Sequence, residues 1–145
     1  MPTCDSDPHD GIRYLPSDHI ISVNKEMLAL TPHEPFGILN QSGLDSAQCR
    51  PAQFAYFQQT HDIFTLAAVL GEALVQNHCF MNANKRTAAG CVYEFLMLNG
   101  WELTAPGDDV VILWEGVAMH EYELDEIADW LAYWSREFDT SKLND

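Results

Sequence analysis

The chain has 145 residues, 47% of them hydrophobic, and sets 7 Lys and Arg against 22 Asp and Glu for a formal net charge of −15. That length suits one domain around a single core. The charge excludes general binding to nucleic acid or to an anionic membrane, both of which need a basic surface, so any anion bound here must be held locally.

Residues 1–18, with Pro2, Pro8 and Pro16, are expected to form a flexible N-terminal arm. The arm has neither a basic n-region nor an apolar h-region, and no later apolar run approaches a membrane span, so a soluble, cytoplasmic protein is expected. A short helix is predicted in SVNKEMLAL, then a looped stretch, TPHEPFGILNQSG, rich in turn formers. LDSAQCRPAQFAYF offers one or two short helices interrupted at Pro51.

Asp62 is a good N-cap for DIFTLAAVLGEALVQN, whose apolar residues surround most of the helix, and this makes it central. A second central helix is predicted in NKRTAAGCVYEFLMLNG, with Asn99-Gly100 as its stop signal. After a short extended WEL, a helix starting near Asp108 or Asp109 covers VVILWEGVAM, and a last one covers LDEIADWLAYWSREF. The class is all-α: a compact bundle over residues 19–139 with two central helices joined by a loop, and a C-terminal tail at 140–145. Cys4, Cys49, Cys79 and Cys91 lack C-x-x-C spacing, and no disulfide is expected.

The joining loop, HCFMNANKRTA from residue 78, holds His78, Asn82, Asn84, Lys85 and Arg86 within nine positions. Two cations at a helix N-terminus oppose its partial positive charge, and something negative should offset them. Asn84 can cap the helix, whose free N–H groups make a ready anion site, while Lys85 and Arg86 would add charge where a phosphate could lie. His78, across the loop, is placed to take a proton from an incoming hydroxyl. Phe80 is expected to insert inward as a loop anchor. The competing explanation is structural: Lys85 and Arg86 would pair with carboxylates, and His78 would sit on the dipole at a helix C-terminus.

The segment resembles the core motif of the Fic/Doc family, in particular its death-on-curing (Doc-type toxin) branch. The family pattern is His-x-Phe-x-Asp/Glu-Gly-Asn-Gly/Lys-Arg, and His78, Phe80, Asn84, Lys85 and Arg86 match it in register. The resemblance implies that His78 is the catalytic base and that Asn84, Lys85 and Arg86 hold nucleotide phosphates. A long cation at Lys85, with Ala89 where adenylyl-transferring members carry a second Arg, is similar to the branch that moves the terminal phosphate of a nucleoside triphosphate such as ATP to a protein Ser or Thr hydroxyl. Nucleotidyl (AMP) transfer is the enzymatic alternative.

Asn82 stands where family members carry the Asp or Glu that binds Mg²⁺, and a neutral amide is a poorer ligand for a hard dication. That leaves Asn82 as the candidate metal position and a nucleotide-binding pseudoenzyme as the non-enzymatic alternative. Ala83 replaces a Gly of the pattern. The implied partners are a target protein, of the translation-factor class, and an antitoxin chain. Ser22 and Glu26 have the spacing of a built-in inhibitory helix, but Met27 follows where that pattern has Gly or Asn.

Elsewhere, Cys79 beside His78 is expected to be a small packing residue, because adjacent side chains diverge. His120-Glu121 does not continue to H-E-x-x-H, and no protein-only metal site follows. The acids from Glu121 to Asp129 suit a solvated helix start, and the four Trp suit core or interface. Arg50 could reach the site or form an ion pair.

Overall fold

The computed structural model describes residues 11–144; the first part of the expected arm, residues 1–10, and Asp145 lie outside the described residues. Six α-helices follow in order: α1 (Ser17–Leu28), α2 (Gln41–Gln58), α3 (Ile63–Gln76), α4 (Asn84–Leu98), α5 (Gly107–Ala118) and α6 (Leu124–Tyr133). Two short strands, β1 (Trp101–Leu103) and β2 (Ser135–Glu137), pair antiparallel, and a 3-10 helix closes the chain at Thr140–Asn144. The all-α expectation holds.

Helix α3 is the hub. The Asp62 carboxylate accepts from the N–H groups of Phe64 at 3.0 Å and Thr65 at 3.3 Å, which starts the helix where the sequence places it. Its run from Leu66 to Gly71, with Leu74 and Val75, is buried all round, and neighbours α2, α4, α5 and α6 cover it on every side. Each fully buried Leu contributes about 1.5–3 kcal/mol. Gly71 is small for a packing reason: a Cβ there would run into the Trp114 ring of α5. The close crossing of α3 and α5 carries Trp114 to the wall of the site described below.

Several boundaries differ from expectation, each for a physical reason. The break at Pro51 is absent, and α2 is one helix of 18 residues with Pro51 buried inside it. An interior proline costs about 3 kcal/mol. Here it lies among buried Ala47, Ala52 and Ala55, whose small side chains let α2 seat closely on α3, and that packing outweighs the lost hydrogen bond.

The final helix stops at Tyr133 instead of running to Phe138. The Ser135 hydroxyl donates to the Leu131 carbonyl at 2.7 Å, competing with the helix ladder. The Thr104 N–H takes the Trp134 carbonyl at 2.7 Å, and Arg136 pairs with Glu102 across the two strands.

The core also begins earlier than an arm of residues 1–18 would allow. Ile12, Tyr14 and Leu15 are buried, and the Asn99 amide clamps the Arg13 backbone, accepting from its N–H at 2.9 Å and donating to its carbonyl at 3.0 Å. Helix α1 correspondingly starts at Ser17, with Ile20, Val23, Asn24 and Leu28 buried at helical spacing. The cysteines divide: Cys79 and Cys91 are free and buried, but Cys49 is disulfide-bonded, against the expectation of no disulfide. The absence of C-x-x-C spacing speaks to metal and redox motifs, and it carries no information about pairs distant in sequence.

Candidate active site

The loop from Asn77 to Ala83 is built from both ends of the central helix pair. Helix α3 ends in a turn that leaves His78 exposed with φ 50°, and the chain then buries Cys79 and Phe80. Phe80, 2% exposed, packs in the core with its ring 6.4 Å from that of Phe36. Asn84 closes the loop on itself: its Oδ1 accepts from the Phe80 N–H at 3.0 Å and its Nδ2 donates to the Phe80 carbonyl at 2.8 Å.

Asn84 is therefore not the cap. The N-cap of α4 is Ala83, in the left-handed region at φ 65°, and no side chain caps the helix. The N–H groups of the first turn of α4 are thus left uncovered by any capping side chain, beside the exposed Lys85. A left-handed alanine costs about 1–2 kcal/mol relative to an unstrained backbone. Ala83→Gly should raise the melting temperature by the equivalent of about 1 kcal/mol; a lower melting temperature would show that no such strain is relieved.

A pocket of about 480 Å³ opens over this helix start. His78, Asn82 and Lys85 form its polar side, and Val110, Trp114 and Glu115 of α5 form the opposite wall. The Lys85 side chain makes no hydrogen bond or ion pair with any described residue, so its ammonium is available to a ligand.

Arg86 also lines the pocket, but its guanidinium is taken up elsewhere. It donates to the Met27 carbonyl at 2.9 Å and the Thr31 hydroxyl at 3.2 Å, and pairs with Glu34 at 2.7 Å. The Glu34 carboxyl is held below its ordinary range, first by its hydrogen bond with Thr31 and then by Arg86. The structural explanation weighed for the two cations thus describes Arg86, whereas Lys85 has no such partner.

Asn82 is engaged on the same side. Its Nδ2 donates to the Pro35 carbonyl at 3.0 Å, and its own carbonyl accepts from Asn24 at 3.0 Å. A divalent cation in this pocket would find the neutral Asn82 amide oxygen and the Glu115 carboxylate as side-chain oxygen donors among the nearby lining groups. Among the described residues no group of three His, Cys, Asp or Glu side chains could hold a metal. That donor set is too sparse to hold a hard dication on protein oxygens alone, and a Mg²⁺ here would depend on nucleotide phosphates and water for its other ligands.

A model of the Fic/DOC family matches residues 14–96, more than half of the chain. The chain belongs to the Fic/DOC family. It is 36% identical over 92 residues to Toxin Doc of Mycolicibacterium smegmatis (strain ATCC 700084 / mc(2)155), an alignment covering 61% of this chain and 71% of that protein. The Fic/DOC match takes in α1, the motif loop and nearly all of α4, while the α5 wall of the pocket lies beyond it.

The remaining candidates of this Fic/DOC chain fall outside the site. Cys79 is fully buried, and burial pushes its thiol up to about 11, so it stays protonated near neutral pH. Alkylation with iodoacetamide at pH 8 should leave Cys79 and Cys91 unmodified until denaturant is added; rapid labelling of Cys79 in the native protein would revive a thiol nucleophile. Arg50 does not line the pocket, and its charge acts on Glu72, whose carboxyl burial raises and Arg50 lowers. His120 is bonded to Gln76 at 3.1 Å. Ser22 and Glu26 are exposed on α1 and do not line the pocket.

One residue escaped the sequence reading. Asn24 is fully buried on α1, and its Nδ2 donates both to the Asn82 carbonyl and to the buried Thr87 hydroxyl at 3.0 Å. Its Oδ1 has no partner. The signal was present: Asn24 is polar at a position that helical spacing from Ile20 and Leu28 assigns to the core, and a buried amide is costly unless it fixes something.

Proposed function

We propose that this protein is a Doc-like toxin of a toxin–antitoxin pair that transfers the terminal phosphate of a nucleoside triphosphate, ATP as first candidate, to a Ser or Thr hydroxyl of a target protein. The carrying observation is Lys85: a free cation in the first turn of a side-chain-uncapped helix, lining a pocket that also contains exposed His78. Helix N–H groups and an ammonium together favour a polyanion such as a triphosphate. The family membership and the similarity to Toxin Doc support the toxin reading. An antitoxin chain as inhibitor and a translation factor as target are the partners the reading implies.

In the proposed step the His78 imidazole accepts the proton of the acceptor hydroxyl as its oxygen attacks the terminal phosphorus. The bond from that phosphorus to the bridging oxygen breaks, and the nucleoside diphosphate departs with that oxygen. Lys85 and the first-turn N–H groups stabilise the charge on the phosphates. Asn84 contributes by holding the loop through Phe80. No part of the step is assigned to a divalent cation.

The test is to incubate the purified protein with cell extract and, separately, γ-labelled and α-labelled ATP. Label entering protein from the γ position alone is the expected result. Label from the α position would mean nucleotidyl transfer, and label from neither would leave a nucleotide- or partner-binding protein.

A further inference from the structure

The segment between α1 and α2 is fastened to the motif loop along its length. Leu39 and Asn40 donate to the Cys79 carbonyl at 2.9 and 3.2 Å, Ile38 bridges Phe80, and Met81 donates to the Gly37 carbonyl at 2.9 Å. The Met81 side chain lies over Gly37, where a Cβ would meet its sulfur and Cγ, so any larger residue there would have to displace that side chain. Two side chains of the motif complete the fastening: Asn82 to the Pro35 carbonyl and Arg86 to Met27, Thr31 and Glu34. From the other face, Asn24 holds the Asn82 carbonyl and Thr87 of α4.

Residue 82 is thus caught between α1, through Asn24, and the strap of residues 31–37, through Pro35. The contact at Pro35 is specific to an amide. A carbonyl oxygen only accepts, and the Asn82 Nδ2 supplies the proton; a carboxylate in the same place would set two acceptors against each other. The chemistry that makes Asn82 a poor metal ligand is what this contact requires.

We propose that Asn82 is a positioning residue, a latch that ties the strap to the motif loop through its amide nitrogen and so fixes the loop that carries His78 and leads into Lys85. This rests on the proposed reading of the pocket only for its effect on nucleotide; the latch itself is a statement about the loop. Asn82 lines the pocket while its amide nitrogen is spent on the strap, an arrangement it shares with Arg86. Two motif positions that would otherwise face a ligand instead hold the wall behind it.

The test compares the parent with Asn82→Asp and Asn82→Ala, using amide hydrogen exchange at Met81, melting temperature, and ATP affinity across a Mg²⁺ titration. Met81 is a suitable reporter because its N–H is bonded to the strap at Gly37. Both variants should lose Met81 protection by about tenfold, the equivalent of one hydrogen bond, with Asp at least as damaging as Ala and Mg²⁺ restoring neither. ATP should bind the Asp form more weakly at every Mg²⁺ concentration. Unchanged Met81 protection in both variants overturns the latch, as does an Asp form that binds ATP more tightly when Mg²⁺ is added. If the parent itself binds no ATP, the nucleotide reading fails, and the exchange at Met81 still decides the latch.

Discussion

His78→Ala should abolish labelling of the target while leaving the fold intact. The imidazole is exposed at the pocket, on a turn residue with φ 50°, and no described residue bonds to its side chain, so its removal deletes no hydrogen bond and no core packing. A positioned general base contributes about 10²–10⁴-fold to a rate, and the loss should fall in that range with the melting temperature lowered by no more than the equivalent of about 1 kcal/mol, the cost of alanine on a left-handed backbone. His78→Asn is a useful companion because it keeps a polar group and tolerates the left-handed backbone. Parent-like transfer by either variant would remove the role assigned to His78.

Phe80→Ala should cost about 3–5 kcal/mol, the range for deleting a fully buried aromatic side chain. Phe80 is 2% exposed, and its backbone is gripped by both ends of the Asn84 amide and bridged to Ile38. The side chain therefore pins the loop at the point where the strap crosses it. Urea denaturation would report the loss as a lower midpoint, and the same variant should bind nucleotide poorly even at temperatures where it is folded. A loss below about 1 kcal/mol would place the anchor elsewhere.

Much of this arrangement was legible in residue order. The all-round apolar run after Asp62 identified α3 as central, because a helix without a polar face must be covered on all sides. The loop residues declared themselves by type: cations and amides clustered at a helix start in a chain otherwise dominated by acids. Partner choice was not legible. Nothing local distinguishes Lys85 from Arg86, yet Arg86 bonds to Met27, Thr31 and Glu34 more than fifty residues earlier, while the Lys85 side chain bonds to no described residue. Likewise Asn84 has the composition of an N-cap, but the left-handed Ala83 moves the helix start by one residue and turns the amide back onto Phe80. Pro51 shows the same limit in the fold, since its helix-breaking tendency is local and the packing that overrides it is not.

In the proposed binding mode the pocket takes nucleotide phosphates on Lys85 and the uncapped start of α4. Titration calorimetry of ATP into the parent, Lys85→Ala and Arg86→Ala, with melting temperatures measured alongside, tests it directly. Lys85→Ala should weaken binding by about ten- to a hundredfold, the worth of a charge-assisted hydrogen bond, at an unchanged melting temperature, whereas Arg86→Ala should chiefly lower the melting temperature by releasing the strap. Equal ATP affinity in the parent and Lys85→Ala would contradict this binding mode.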